Sequence, residues 1–162
     1  MTMTPELLEI LLADARQSSA DIARQLGTDA GSVEAGIEEL EAAEVIKGYQ
    51  AVVDWRKTEE PRVRAEVELN VELDRETTYA EIAARIARFP EVASLRLISG
   101  SYDFAVDVEA HSMQAVSQFV ADQIAPIPEV TQTVTHFVME TYKERGIYFD
   151  DTDGDDRLTI SP

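Results

Sequence analysis

The chain has 162 residues, 44% of them hydrophobic, which suits one ordinary domain or two small ones with a packed core. It has no cysteine, which excludes disulfides and thiolate metal sites, and no apolar run near the ~20 residues that cross a membrane. Its net charge of −18 is spread along the chain, and of its 14 bases only Lys47, Lys57 and Lys143 are lysine.

The opening "MTMTPELLEI" lacks the basic flank and apolar core of a secretory signal, so a soluble cytoplasmic protein is expected. Residues 5–15 then place Leu7, Leu8, Leu11, Leu12 and Ala15 on one helical stripe. Ser18 or Ser19 can cap a second helix that buries Ile22, Ala23 and Leu26 and stops at Gly27. Asp29 can cap a third, with Val33, Ile37 and Leu40 at helical spacing. "VIKGYQAVVDW" reads as a β segment with Gly48 at its bend. Three short helices followed by a strand are the plan of a winged helix-turn-helix, expected over residues 1–53.

The polar stretch ending in Pro61 predicts a linker over 54–61. In "RVRAEVELNVEL" apolar and polar residues alternate strictly, as in a strand with one face on a core. Residues 77–89 predict a helix with Tyr79, Ile82, Ile86 and Phe89 inward. "VASLRLISG" and "SYDFAVDV" predict two strands joined tightly at Gly100 and Ser101. Residues 112–125 predict a helix with Met113, Val116, Val120 and Ile124 inward, ended by Pro126 and Pro128, and "VTQTVTHFVMETY" is the last strand. The class is therefore α+β: a winged helix-turn-helix followed, over 62–146, by a βαββαβ ferredoxin-like (ACT-like) sandwich. Residues 147–162 form a separate acidic tail.

Catalytic chemistry finds little support. His111 and His136 are the only histidines, and neither sits in a ligand set, so no metal or cofactor is expected. The tail's "DDTDGDD" fails as a calcium loop, because the sixth and twelfth positions counted from Asp151 are Asp156 and Pro162. The hairpin "SGSYDF" is more informative. A glycine at a strand-to-strand turn lets a ligand approach the backbone. Exposed amides and hydroxyls around Gly100, Ser101 and Tyr102 suit a carboxylate, and Asp103 suits an ammonium, as an amino-acid zwitterion requires. Thr133 and Thr135 add hydroxyls from the last strand. The same residues also read as an ordinary tight hairpin and a threonine-rich strand. The acid-rich, lysine-poor surface fits a protein working in molar salt, where repulsion is screened over ~3 Å; an ordinary acidic protein is the alternative.

On three stretches, "ARQSSADIARQLG", "LISGSYDFAVDV" and "IPEVTQTVTHFVMETYK", the chain resembles the Lrp/AsnC transcriptional regulators, over roughly residues 4 to 144. The resemblance implies binding of double-stranded DNA and of an amino acid or related metabolite near the glycine hairpin. It implies dimers through the C-terminal sandwich that assemble into higher oligomers, in some cases with paralogues. Gly100, Ser101, Tyr102 and Asp103 match the family's hairpin, and Thr133 and Thr135 its final strand. The third helix departs from the pattern. It carries Glu34, Glu38, Glu39, Glu41 and no base, and Glu44 stands where the family ends the helix on glycine. The expected DNA contacts are therefore Ser32 and Glu34 to base edges and Arg16, Arg24 and Lys47 to phosphates. The alternative is a metabolite-sensing partner subunit without DNA binding of its own.

Overall fold

The computed structural model describes residues 4–74 and 77–149. The chain divides into two compact units at Val52/Val53, with the short turn Glu144–Ile147 grouped with the first. The acidic stretch from Asp151, and with it the calcium comparison, lies outside the described residues.

The first unit is three helices, α1 (Thr4–Ala13), α2 (Ser19–Leu26) and α3 (Ala30–Ala42). Their ends follow local chemistry. The Ser18 hydroxyl accepts from the amide of Asp21, and Gly27 closes α2 in the left-handed region at φ 66°. The Asp29 carboxylate accepts from the Ser32 amide at 2.9 Å and from its hydroxyl at 2.6 Å. These bonds hold the carboxyl groups of Asp21 and Asp29 below the usual carboxylate range, with the serine hydroxyl the largest cause in each. Leu7, Ile22, Ala23, Val33 and Leu40 form the buried core, with Leu8, Ile10, Leu11, Leu26 and Ile37 packed around it. Three expectations fail here. Ala15 lies past the end of α1 at Ala13 and is exposed. Leu12 is 83% exposed, because it lies roughly 140° round the helix from Leu7. The β segment after Gly48 is not a strand: residues 47–54 carry no ladder. An extended segment needs a neighbouring edge for its hydrogen bonds, and among the described residues none pairs with this one.

The second unit begins with a 3₁₀ turn at Trp55–Lys57, inside the stretch expected to be linker. It is anchored. The Arg56 guanidinium reaches Asp54 (2.9 Å), Glu140 and the Phe149 carbonyl (3.3 Å), and Arg62 lies 4.2 Å over the Trp55 ring. Then come β1 (Val63–Val71), α4 (Tyr79–Ile86), β2 (Val92–Leu97), β3 (Phe104–Ala110), α5 (Met113–Phe119, running on as one π-helical turn to Ile124) and β4 (Val130–Phe137). The four strands form one sheet in the order β2-β3-β1-β4 with every pairing antiparallel.

The alternation in β1 sets the layers. Ala65, Val67 and Leu69 are fully buried with Phe104, Val106 and Val108 of β3, against Ile82 and Ile86 of α4 and Val116, Val120 and Ile124 of α5. Met113 is 48% exposed, against expectation: it shares the helical stripe of Val116 and Val120 but stands at the first position of α5, where that stripe ends. Burial of β3 on both sides is another departure from the sequence reading. On the face away from the helices Asp107 is 5% exposed, its carboxylate 3.2 Å from Arg64 and 3.3 Å from Arg96. A short hairpin, β5 (Lys143–Glu144) with β6 (Ile147–Tyr148), turns through Arg145 (φ 47°) and Gly146 (φ 88°). It straddles the boundary expected between domain and tail.

Candidate functional site

The β2–β3 hairpin is the loop 98–103. It closes through the Ile98 amide on the Asp103 carbonyl at 2.7 Å, and the Asp103 amide joins β1 at the Leu69 carbonyl, 2.8 Å away. Between these ties, the amides of Ser99, Gly100, Ser101 and Tyr102 turn to no other backbone group among the described residues. Ser99, Gly100 and Ser101 are exposed. Gly100 is not in the left-handed region, and a Cβ there would meet only the Ile98 side chain, at 3.8 Å. Neither backbone strain nor packing within the chain calls for glycine at this point.

Asp103 is half-buried, and both its carboxylate oxygens accept from the chain itself. One accepts from the Val71 amide at 2.8 Å and the other from the Tyr79 hydroxyl at 3.3 Å. The β1–β3 ladder ends at Leu69↔Phe104, so this carboxylate takes the place of the next ladder carbonyl for Val71. The charge on Asp103 is the main cause that raises the Tyr79 phenol above its ordinary value and keeps it a donor. The Tyr79 ring packs edge-on against Phe104, 5.8 Å between centroids. Asn70, unremarked in the sequence, donates to the Ser101 carbonyl at 3.1 Å, and its own carbonyl accepts from the Thr131 hydroxyl at 3.2 Å.

Thr133 and Thr135 stand opposite Leu69 and Val67 on β4, on the helix-covered face. β1 separates them from β3, so they lie about 10 Å from the hairpin strand. The structure thus gathers Gly100, Ser101, Tyr102 and Asp103 on one loop and the two threonines on one strand, without closing both around a common point. A cleft of about 450 Å³ lies elsewhere, lined by Glu91, His111, Ser112, Gln118 and Asp122 among others, and none of the expected site residues borders it. Among the described residues no cluster of three His, Asp or Glu is arranged to hold a metal.

On the first unit, Ser32 lies in the first turn of α3 and Glu34 at the start of the second, since the first turn holds no acidic residue. Glu34, Glu38, Glu39 and Glu41 are all exposed. The expected phosphate contacts are partly engaged already. Arg24 is ion-paired with Asp21 and Lys47 with Glu44, three residues away in each case, while Arg16 is exposed. The Ser32 hydroxyl donates to Asp29, which leaves only its acceptor lone pairs for a base.

A family model described as the Lrp/AsnC ligand binding domain matches residues 64–148, and one described as winged helix-turn-helix DNA-binding matches residues 4–47. The chain belongs to the Lrp/AsnC family. The HTH-type transcriptional regulator YugG of Bacillus subtilis is 38% identical over 158 residues, 97% of this chain and 95% of that protein. The solved structure of B. subtilis LrpC has a TM-score of 0.63 at 27% identity, covering 85% of this chain and 93% of that one. A transcriptional regulator of Neisseria meningitidis, solved as its L-Met complex, has a TM-score of 0.69 at 20% identity, covering 86% and 89%, and shows the likeness of fold. This Lrp/AsnC protein is a transcriptional regulator that joins a DNA-binding helix-turn-helix to a ligand-binding domain.

Glu44, where the resemblance places a glycine, has φ 55°. A left-handed non-glycine residue costs roughly 1–2 kcal/mol, against roughly 0.5–1 for the extra freedom of an unfolded glycine. Its exposed pair with Lys47 contributes less than about 1 kcal/mol. Glu44→Gly should therefore stabilise the first unit by roughly 0.5 kcal/mol, raising its melting midpoint by about 2–4 °C in circular dichroism. A midpoint that stays put or falls would show that the strain is relieved elsewhere.

Proposed function

We propose that this regulator senses an amino acid or a closely related metabolite at the β2–β3 hairpin and works as an oligomer in high salt. The observation that carries the reading is the loop 99–102, exposed at Ser99, Gly100 and Ser101, whose amides turn to no other backbone group among the described residues and whose glycine serves no need of the chain's own fold. Amides and hydroxyls presented this way suit a carboxylate. A family relative has been solved with L-Met, which supports the ligand class. The proposed contacts are Gly100, Ser101 and Tyr102, with Asp103 at the base of the loop and Thr133 and Thr135 as further polar positions. Differential scanning fluorimetry with the twenty amino acids, singly, in about 2 M KCl tests this. One or a few should raise the melting temperature, by the linkage of ligand binding to the folded state. No shift with any of the twenty would overturn the amino-acid reading.

The same loop supports an oligomer. The hairpin and the β4 threonines do not close on one another in one chain, so a second copy is needed to complete an enclosure. Large apolar side chains stand exposed at Tyr49, Val138, Met139 and Tyr142, as at surfaces that a partner covers. Light scattering in about 2 M KCl should give dimers or larger species at micromolar concentration. A clean monomer throughout would overturn the proposal. DNA contact is assigned to Ser32 and Glu34 on α3, with Arg16, Arg24 and Lys47 for phosphates.

A further inference from the structure

The three residues that tie the hairpin down come from separate elements. Asp103 reaches the Val71 amide at the end of β1 and the Tyr79 hydroxyl at the start of α4. Asn70 holds the Ser101 carbonyl from β1. Each bond points from the framework to the base or one side of the loop, and together they leave amides 99–102 turned away from other backbone groups. Each Asp103 oxygen already accepts one hydrogen bond from a donor of the chain itself. We propose that Asp103, Asn70 and Tyr79 are positioning residues that fix the hairpin for its ligand, and that Asp103 does not itself pair with a ligand's ammonium. This rests on the effector reading of the hairpin. Its consequence is that the carboxylate's geometry matters and its charge does not. An asparagine in its place can still accept from the Val71 amide through Oδ1, and its Nδ2 can donate to the Tyr79 oxygen. An alanine can do neither.

The experiment uses the full chain in about 2 M KCl, with the amino acid that gives the largest thermal shift as probe. Titration calorimetry on Asp103→Asn should give a Kd within about threefold of the wild type, and Asp103→Ala and Asn70→Ala should each weaken binding about tenfold or more. In parallel, hydrogen exchange of amides 98–103 should speed up about tenfold in both alanine variants and stay as in the wild type in Asp103→Asn. Asp103→Asn losing as much affinity as Asp103→Ala would overturn the proposal, because a charge contact with the ligand behaves that way. Unchanged exchange in both alanine variants would overturn it too. If no amino acid binds the wild type, the effector reading fails, and the exchange comparison still decides whether these residues hold the loop. Asn70→Ala covers the case in which Asp103→Ala does not fold.

Discussion

Binding of the regulator to DNA from its own upstream region should hardly weaken as KCl is raised from low to molar concentration. A protein that neutralises many phosphates loses about 10³–10⁵ in affinity between roughly 50 and 200 mM salt, because each contact releases counterions. Here α3 presents Glu34, Glu38, Glu39 and Glu41 to solvent and no base, and two of the three nearby cations are paired with Asp21 and Glu44. Few counterions are released, and the glutamates repel phosphate most when salt is low. At ~8 Å in water each close carboxylate–phosphate pair costs about 0.5 kcal/mol before screening. Molar salt, with a Debye length of ~3 Å, removes most of that. The triple substitution Glu34→Gln, Glu38→Gln and Glu41→Gln should therefore tighten binding about five- to tenfold near 0.01 M KCl, where the Debye length is ~30 Å, and by less than about twofold at 2 M. What carries recognition is then base-edge contact and the avidity of an oligomer. Ser32, its proton given to Asp29, can offer a base only an acceptor. Gel-shift titrations across a KCl series measure both quantities. A log–log slope on the order of −6 in the wild type would show that phosphate contacts dominate after all, and no binding at any salt would remove α3 as a DNA-reading helix.

What was legible in the sequence is what is decided within a few residues. The Ser18 and Asp29 caps each act on an amide three residues ahead, and the Val63–Leu73 alternation states its own periodicity. Helix stripes were legible except at their ends: Leu12 and Met113 fit an apolar pattern, but their exposure depends on where neighbouring elements stop. The ion pairs Asp21–Arg24 and Glu44–Lys47 have i,i+3 spacing and could have been foreseen. The wing could not be settled, since a strand is defined by its partner. The hairpin is legible as a motif, but the surroundings of Asp103 are not. Its partners, Val71 and Tyr79, lie 32 and 24 residues away, and only the fold brings them together. Asp107 was hidden for a similar reason. It alternates out of the apolar stripe of β3, and its burial depends on Arg64 from β1 and Arg96 from β2 closing over it.

Phe104→Ala should be among the most damaging single substitutions in the ligand-binding domain. Phe104 is 1% exposed and is the largest of the fully buried side chains. It stands where β1, β3 and α4 meet: opposite Leu69, edge-on to Tyr79, and next in sequence to the carboxylate that holds the hairpin. Truncation of a buried phenylalanine costs about 3–5 kcal/mol, from lost transfer energy plus the cavity left behind. For a domain of this size that lowers the melting temperature by at least about 10 °C. Leu97 is the matched control. It lies opposite Phe104 on β2, yet is 58% exposed, so Leu97→Ala should cost within about 0.5 kcal/mol. The two variants remove apolar side chains from paired positions and differ in burial. Calorimetry in about 2 M KCl should show the domain's transition shifted strongly for Phe104→Ala and barely for Leu97→Ala. Equal shifts would mean that Leu97 is covered in solution, which in this regulator would place a second copy over the β2 edge beside the hairpin.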